Sequence, residues 1–524
     1  MTEGDIITVE ASIYPENTAY GTISWRSSDD SIVSVYMLSV AHSARIVANS
    51  PGTAQITVLL SNGTARSITV TVEQAELPST PPGDTGGTDD FVIYSVEDMF
   101  AKKYFFADRT TGDYMNDAIY ERQNAIETSL GVDLVYKAAE GVGETQAFQQ
   151  YATEVMNSIK AGDAKYQLVL SHVYYAIPDL IMGGYLKDFN DFENIDLTAS
   201  YWNKSIMDEV AYKDSYYLGY SDFNLAQTYV VAFNKSLYNE NAEKFEGSTL
   251  YDYVRGGNWT LTKMSEAAAL VYEDKGNVEQ NVYGLTGELW TPFVGFIQSS
   301  GESLVTRSVS GKYQISWIDD KTIKSNINNM INTIRDIDSM EETHFWRHEA
   351  FQPSRKTVEL TTGRAFMQLI STNELPNLKN STVTYGVLPY PMYEESQYKT
   401  VGYRSLNWGG YLCVPSNNID NADIVGSVLE GLALYSEDVT KAYYDKLLGF
   451  KVSDSSDDAE MLDIIWDSIC VDFGVTYEMI DDKGNLDAIV YTVPRCVMEN
   501  MQFNSWHSRY GGAANNAINN KLNK

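Results

Sequence analysis

Two kinds of apolar pattern alternate between residues 91 and 170, and this alternation restricts the possible folds more than any other feature of the sequence. Short apolar runs at 91–94, 133–136 and 166–170 are typical of buried strands. The stretches between them, 116–130 and 148–161, place apolar residues on one face of a helix, and Asn116 stands where it can cap the first. Strands and helices that alternate in this order predict a mostly parallel sheet with right-handed crossovers.

The loop after the third of these strands contains the first candidate site. His172 and Tyr174 follow the strand directly, and Pro178 stands where it can open the next helix. In open α/β sheets, ligands bind beyond the carboxyl ends of the strands. We therefore predict that His172 and Tyr174 contact a small ligand. The alternative is that the two side chains only form the rim of a cleft.

Residues 1–73 have a different pattern, in which apolar and polar residues alternate over several short segments separated by turn signals. This spacing predicts a small all-β sandwich. The phrases at 23–35, 48–60 and 65–72 resemble bacterial immunoglobulin-like domains of group 2 in order and spacing. The resemblance implies a spacer or adhesion module. Residues 74–90, rich in proline and glycine, are predicted to be a linker to a third region, 91–524.

Charge and cysteine content exclude some classes of function. The formal net charge of −33 argues against a nucleic-acid partner, because the phosphates would be repelled. The chain has only three cysteines, Cys413, Cys470 and Cys496, and we interpret them as core thiols. A single bridge between Cys470 and Cys496 stays open as an alternative. No run of 18 apolar residues is present, so no membrane-spanning segment is predicted.

Several phrases of the third region, taken in order, resemble extracellular solute-binding proteins of ABC importers, in the sugar-binding branch of the type 2 periplasmic-binding fold and of a clostridial type. The phrases that carry the resemblance lie at 112–134, 166–189, 228–238, 258–268, 283–287, 363–367, 385–391 and 459–474. The expected architecture is therefore multidomain, with an all-β sandwich followed by a two-lobed α/β fold. A ligand would be trapped between the lobes by hinge closure.

The resemblance also implies boundaries within the third region. The first lobe would comprise about 91–220 and 403–470, and the second lobe about 221–400, with C-terminal helices bracing both. The two crossovers between the lobes should lie near 220–222 and 393–403. The last 100 residues are predicted to be mainly helical, with a strongly amphipathic pattern at 459–469. The final segment, 481–524, departs from the pattern of the family and has no predicted position.

Sugars bind by stacking on aromatic faces while polar side chains hydrogen-bond their hydroxyls, so a sugar cleft needs both kinds of residue together. The crossovers and the strand ends of this chain offer such combinations. For each candidate, the alternative is a role in packing or in the hinge. Trp408, beside Asn407 and before a glycine pair, is the sharpest candidate for a stacking platform. The predicted ligand-binding residues are His172, Tyr174, Tyr220, Asp222, Trp290, Trp346, Tyr403, Arg404, Asn407 and Trp408.

Other kinds of site have weaker support in the sequence. His344 and His348 are four residues apart and would share one face of a helix, a spacing that suits zinc, but Glu349 is misplaced for a HExxH metalloprotease. No nucleophile motif and no phosphate-binding loop occurs. We therefore predict no metal, no cofactor and no enzyme activity. The less favoured alternative is a glycosidase, in which two carboxylates of the cleft would form the catalytic pair.

The resemblance implies a receptor that captures a carbohydrate, expected to be an oligosaccharide, and delivers it to the transmembrane subunits of an ABC permease. We expect a monomer outside the cell, lipid-anchored at a Gram-positive type of surface, whose signal peptide is missing from this sequence. The alternatives are a surface adhesin that is not coupled to transport and, less favoured, a glycoside hydrolase.

Overall fold

The computed structural model of the protein describes most of the chain. The described residues are 1, 6–12, 23–37, 43–48, 50–60, 62–73, 90–96, 105–139, 144–172, 177–199, 201–221, 228–347, 358–381, 383–408, 410–418, 422–449, 456–481 and 483–524. The predicted linker lies outside these residues except for Asp90. In the described ranges, no helix combines the length and the apolar character that a bilayer span requires.

The first 73 residues contribute two antiparallel three-stranded sheets, with the strand orders β1-β4-β3 and β2-β5-β6. The strands are β1 Ile6–Glu10, β2 Ile23–Ser27, β3 Val33–Met37, β4 Ser43–Ala48, β5 Gly52–Leu60 and β6 Ala65–Val72. Alternate side chains of β5, such as Ala54 and Ile56, are buried, whereas Thr53 and Gln55 are exposed. Both sheets contribute to one apolar cluster, which includes Val33, Ile46 and Val70.

The first sheet of the α/β region has the strand order β18-β9-β7-β8. Its elements in chain order are β7 Asp90–Val96, α1 Tyr114–Leu130, β8 Asp133–Ala139, α2 Glu144–Ala161, β9 Leu168–Ser171 and, much later, β18 Tyr411–Cys413. β7 pairs in parallel with β8 and β9, which confirms the predicted alternation of strands and helices. The start of α1 differs from the sequence interpretation, which placed the cap at Asn116. The cap is Asp113, whose side chain accepts a hydrogen bond from the Asn116 backbone N–H.

The second α/β sheet has the order β14-β11-β15-β10-β16. Its strands are β10 Tyr229–Asn234, β11 Tyr283–Leu289, β14 Thr343–Arg347, β15 Ala365–Ser371 and β16 Tyr385–Leu388. β11 runs parallel to both β14 and β15, whereas β10 runs antiparallel to β15 and β16. Every described residue of β10, β11, β15 and β16 is buried, because helices cover both faces of the sheet.

Helices make up most of the remaining α/β region. The helices before the second crossing are α3 Ile177–Met182, α4 Lys204–Val210, α5 Lys235–Glu240, α6 Leu250–Arg255, α7 Leu261–Val271, α8 Thr291–Ser299, α9 Lys321–Asp338 and α10 Val358–Thr361. The C-terminal helices are α11 Ala422–Leu434, α12 Glu437–Gly449, α13 Ser456–Asp467, α14 Phe473–Thr476, α15 Asn485–Val490, α16 Thr492–Met498 and α17 Phe503–Lys521. The hairpin β12 Val305–Arg307 and β13 Tyr313–Ile315 packs against α17.

Three segments of the chain lie between the two α/β sheets and hydrogen-bond to one another. Gly219 pairs with Leu412 at the first sheet, and Thr228 pairs with Asn407 at the second. The short strand β17, Ser405–Leu406, lies parallel to β19, Ile469–Cys470. The second segment therefore lies a few residues beyond the range 393–403 given by the sequence. The third segment, at β19, has no counterpart in the sequence prediction, which continued the amphipathic helix through Ile469.

The C-terminal helices contact both sides of this connection. α11 and α12 pack on α1 beside the first sheet, whereas α13 packs on β16 of the second sheet. Lys235 and Asp458 form a buried ion pair between α5 and α13. α16 packs on α8 and α9, next to the second sheet. Residues 456–467, which the sequence interpretation placed in the first lobe, therefore contact the second sheet.

Candidate functional site

The carboxyl ends of the strands in the two α/β sheets meet at the same connecting segments. Ser171, the last residue of β9, pairs with Tyr411, where the second segment enters the first sheet. Tyr229, where the first segment enters the second sheet, pairs with Ser371, the last residue of β15. β11 is parallel to β15, so it ends at the same edge. We name the two facing edges, with the residues just beyond them, the strand-end site.

Glu288 and Trp346 lie side by side at the second sheet's edge of this site. They are register partners in the parallel pair of β11 and β14, so both side chains project from the same face of the sheet. Glu288 is only 8% exposed, and Trp346 is half-buried. A carboxylate beside an indole can accept hydrogen bonds from sugar hydroxyls while the ring packs on a sugar face.

Trp290, two residues beyond Glu288, packs against residues from the C-terminal part of the chain. Its ring stacks on Tyr491, with centroids 4.5 Å apart and an interplanar angle of 22°. The guanidinium carbon of Arg495 lies 5.2 Å from the centroid of the same ring. Trp290 itself is half-buried, so part of its surface stays accessible. Its orientation is thus fixed before any ligand arrives.

The pKa of Tyr229 is sensitive to the charged groups at this edge of the second sheet. Burial raises the pKa of its phenol well above the ordinary value, and the carboxylates of Glu374 and Glu288 raise it further. A hydrogen bond with Thr291 acts in the opposite direction. Both carboxylates are therefore close enough to oppose ionisation of the phenol. The edge combines aromatic rings with anionic acceptors.

Two predicted residues lie at the first sheet's side of the connection. His172 follows β9 directly and is buried, with 9% of its surface exposed. Tyr220 is also buried, and its ring centroid lies 6.0 Å from that of Tyr411. Tyr220 therefore packs within the connection between the sheets. Tyr174 and Asp222, also predicted from the sequence, lie outside the described residues.

Two predicted residues of the second segment, Tyr403 and Arg404, donate hydrogen bonds to other parts of the protein. The Tyr403 hydroxyl donates to the carbonyl of Val254, at 2.9 Å. Arg404 Nη2 donates to Glu209 Oε1 at 2.7 Å, and the other oxygen of Glu209 accepts from the backbone N–H of Val471. The two contacts of Glu209 connect α4 to both the second and the third connecting segments.

Asn407 and Trp408 are buried in the same segment. Asn407 Nδ2 donates to Thr228 Oγ1 at 2.8 Å, which joins the first and second connecting segments. Trp408 is 3% exposed, and its ring centroid lies 6.4 Å from that of Tyr491. Trp408 thus supports the residue that stacks on Trp290. The sequence prediction of a platform at Trp408 stays a prediction, and the more accessible ring is Trp290.

The region around His344 is a strand and not the helix that the zinc interpretation required. Its Nδ1 lies 2.8 Å from Glu359 Oε1, and its ring packs on Tyr283 with centroids 4.7 Å apart. His348 lies outside the described residues. Among the residues that are described, no three His, Cys, Asp or Glu side chains are grouped to hold a metal ion. All three cysteines are buried free thiols, as the sequence analysis interpreted them.

Sequence reasoning missed Glu288, Tyr491 and Arg495. Glu288 had a usable signal, because a charged residue next to the end of an apolar strand is unusual. Tyr491 and Arg495 belong to the segment 481–524, which had no predicted position. Their sequence neighbours give no indication that they lie beside Trp290.

Asp472, in the third connecting segment, makes the stability of the folded protein depend on pH. Its carboxylate accepts hydrogen bonds from Gln298 Nε2 and from the backbone N–H groups of Leu304 and Gly474. Burial nevertheless raises its pKa from 3.8 to about 6. The folded state therefore binds the proton more tightly than the unfolded state, and this contribution to stability is lost as pH rises from about 4 to above 6.

We expect the free energy of unfolding to fall by about 3 kcal/mol more in the wild type than in Asp472→Asn over that pH range. Urea unfolding between pH 4 and 7 measures the difference, and Asp191→Asn, at an exposed position, is the matched control. Parallel pH profiles for wild type and Asp472→Asn would contradict the assignment.

Comparison with solved structures relates this architecture to known proteins. The chain superposes on the GacH receptor of Streptomyces glaucescens GLA.O, solved unliganded and with acarbose, with a TM-score of 0.52 at 12% identity, covering 82% of this chain and 98% of that one. A family 1 extracellular solute-binding protein from Bifidobacterium longum subsp. infantis gives 0.51 at 13% identity, with coverages of 83% and 99%. An ABC substrate-binding protein from Listeria monocytogenes, solved with cycloalternan, gives 0.50 at 12% identity, with coverages of 83% and 100%.

No protein-family model and no curated protein sequence matches the chain. At 12–13% identity, the structural likeness concerns the fold alone. Over about four-fifths of its length, this chain has the fold of the solute-binding proteins of ABC transporters.

Proposed function

We propose that the protein is an extracellular receptor that captures a carbohydrate for an ABC importer. The observation that carries the proposal is Glu288 at the strand-end site, where it is the register partner of Trp346 and stands two residues before Trp290. Aromatic faces and a carboxylate at one edge are what a sugar ring requires. The solved structures with the same fold include proteins in complex with acarbose and with cycloalternan, which supports a carbohydrate ligand.

Calorimetry against a panel of glycans, combined with analysis of the products, tests this function. We expect binding of at least one oligosaccharide without turnover. Glycosidic cleavage would overturn the receptor function in favour of a hydrolase that uses two carboxylates. Binding by residues 1–73 alone would favour the adhesin.

Glu288→Gln should weaken binding of the best ligand in that panel by about tenfold to a hundredfold. The substitution keeps the shape of the side chain but replaces a charged acceptor, and hydrogen bonds to charged groups contribute about 1.5–3 kcal/mol. Calorimetry measures the dissociation constant. Glu266→Gln, at an exposed carboxylate on α7, removes the same charge elsewhere in the second lobe and should bind like the wild type. Equal affinity of both variants would exclude Glu288 from the site.

The remaining features of the proposal concern domains and location. The two antiparallel sheets of residues 1–73 support an immunoglobulin-like spacer that holds a monomeric receptor away from a lipid-anchored terminus. The permease would contact the α/β region, whose lobes would correspond to the two α/β sheets. Protease treatment of intact cells that make the protein should release the α/β region. Full protection of the protein until the cells are lysed would exclude a surface location.

A further inference from the structure

The C-terminal helix α16 brings one arginine to the strand-end site. Tyr491 and the α16 residues up to Val497 are buried, with the single exception of Arg495, which is half-buried. α16 packs on α8, the helix that begins directly after Trp290. Arg495 is therefore the position at which an otherwise enclosed helix reaches a partly open surface beside Trp290.

The guanidinium of Arg495 has no polar partner among the residues that the structure describes. Its Nε is buried without a hydrogen bond. The two Nη atoms donate no hydrogen bond either, and they are accessible to solvent, since only Nε belongs to the buried unpaired atoms. Two other partly buried arginines, Arg335 and Arg404, do donate hydrogen bonds through Nη2. Arg335 Nη2 donates to the Met501 carbonyl at 2.7 Å, and Arg404 Nη2 donates to Glu209.

Nearby acids do not neutralise this charge through direct contact. Asp487, on α15, is close enough for Arg495 to lower its pKa, but burial has the larger effect and raises that pKa above the ordinary value. The two side chains form no ion pair within the described part of the chain. Glu478 lies beside Asp487, and burial raises its pKa well above the ordinary range. Positive charge on Arg495 is therefore incompletely compensated.

Contact with the Trp290 ring also restricts the motion of the Arg495 guanidinium. Tyr491 and Arg495 are one helical turn apart and both contact the Trp290 ring. Packing on the indole holds the planar group in place, so fewer rotamers are lost when it binds a ligand. A guanidinium fork pairs with a carboxylate through two parallel hydrogen bonds.

We propose that Arg495 binds a carboxylate of the ligand, and that the receptor takes acidic, uronate-containing oligosaccharides. This inference rests on the proposed carbohydrate receptor function and defines the chemical class of its ligand. Trp290 would hold a sugar ring while the exposed Nη atoms of Arg495 bind the acid group. Binding of a ligand carboxylate by the two Nη atoms would explain why the half-buried Arg495 has no polar partner within the described part of the protein.

Calorimetry with neutral oligosaccharides and with oligosaccharides of galacturonate, glucuronate and mannuronate tests the inference. We expect the tightest ligand to contain uronate and its affinity to decrease as salt is added. Arg495→Gln should weaken that ligand at least tenfold and reduce the salt dependence, whereas Arg495→Lys, which keeps the charge without the fork, should give an intermediate loss. Arg509→Gln, at an exposed arginine of α17, is the charge-matched control and should bind like the wild type.

Three outcomes separate this inference from the proposed function. A neutral oligosaccharide as the tightest ligand would overturn the acidic class and leave the carbohydrate receptor intact. Uronate binding that is equal in wild type and Arg495→Gln would remove Arg495 from the site. Binding of no glycan at all would overturn the receptor function itself. Thermal melting of each variant shows whether a loss of binding comes from unfolding.

Discussion

Replacing Trp290 with alanine is expected to weaken carbohydrate binding by about tenfold to more than a hundredfold while changing the melting temperature of the free protein only slightly. The ring is half-buried and already fixed by stacking on Tyr491. Loss of the apolar surface that it offers to a sugar ring costs about 1.5–3 kcal/mol, which sets the range of the effect. Calorimetry with the best glycan ligand measures the change.

A matched control for this experiment is Trp466→Ala. Trp466 is half-buried on α13 and packs on a separate apolar cluster, which includes Leu462, Tyr385 and Val387. We expect it to bind the glycan with wild-type affinity. Wild-type affinity of Trp290→Ala itself would show that the ligand binds elsewhere, and the site would then have to be sought at the first sheet's edge around His172.

Trp408→Ala should act mainly on stability. Trp408 is 3% exposed and packs beside Tyr491, so the substitution leaves a large cavity under the stacked pair. Truncation of a buried tryptophan costs about 3–5 kcal/mol, which should lower the melting temperature by several degrees. Thermal melting with and without the glycan measures both the loss and the ligand-induced shift.

The same experiment decides between the two roles of Trp408. A mutant that melts lower but keeps its full ligand-induced shift has lost a packing residue, as the buried position indicates. A mutant that melts like the wild type and shows a smaller ligand-induced shift at the same ligand concentration has lost a platform, as the sequence pattern indicates. Trp290→Ala is expected to show this second pattern, so the two tryptophans serve as controls for each other.

Three predicted binding residues of the second connecting segment already donate hydrogen bonds within the protein. The sequence places Tyr403, Arg404 and Asn407 before a glycine pair, where an aromatic ring, a fork donor and an amide could all bind a sugar. In the structure, these groups donate to Val254, Glu209 and Thr228. Local composition identifies donors, but it cannot show whether the protein already supplies their acceptors.

Local periodicity determined much of the fold, since the spacing of apolar residues is set by neighbours in the chain. It predicted the strands β7, β8 and β9, the intervening helices and the parallel sheet. The resemblance to solute-binding proteins, and not periodicity, predicted that Trp290 follows a strand. Buried, unbridged cysteines followed from their apolar surroundings.

Only the tertiary structure decided which side chains share a site. Glu288 and Trp346 are far apart in the chain and meet because β11 and β14 pair in parallel. Tyr491 and Arg495 reach Trp290 because α16 packs on α8, a long-range contact that leaves no local period in the sequence. The third connecting segment was missed for a related reason, since Ile469–Cys470 continues a helical pattern and forms a strand only because β17 lies beside it. Sequence spacing thus determines the elements, and the pairing and packing of distant elements determine the site.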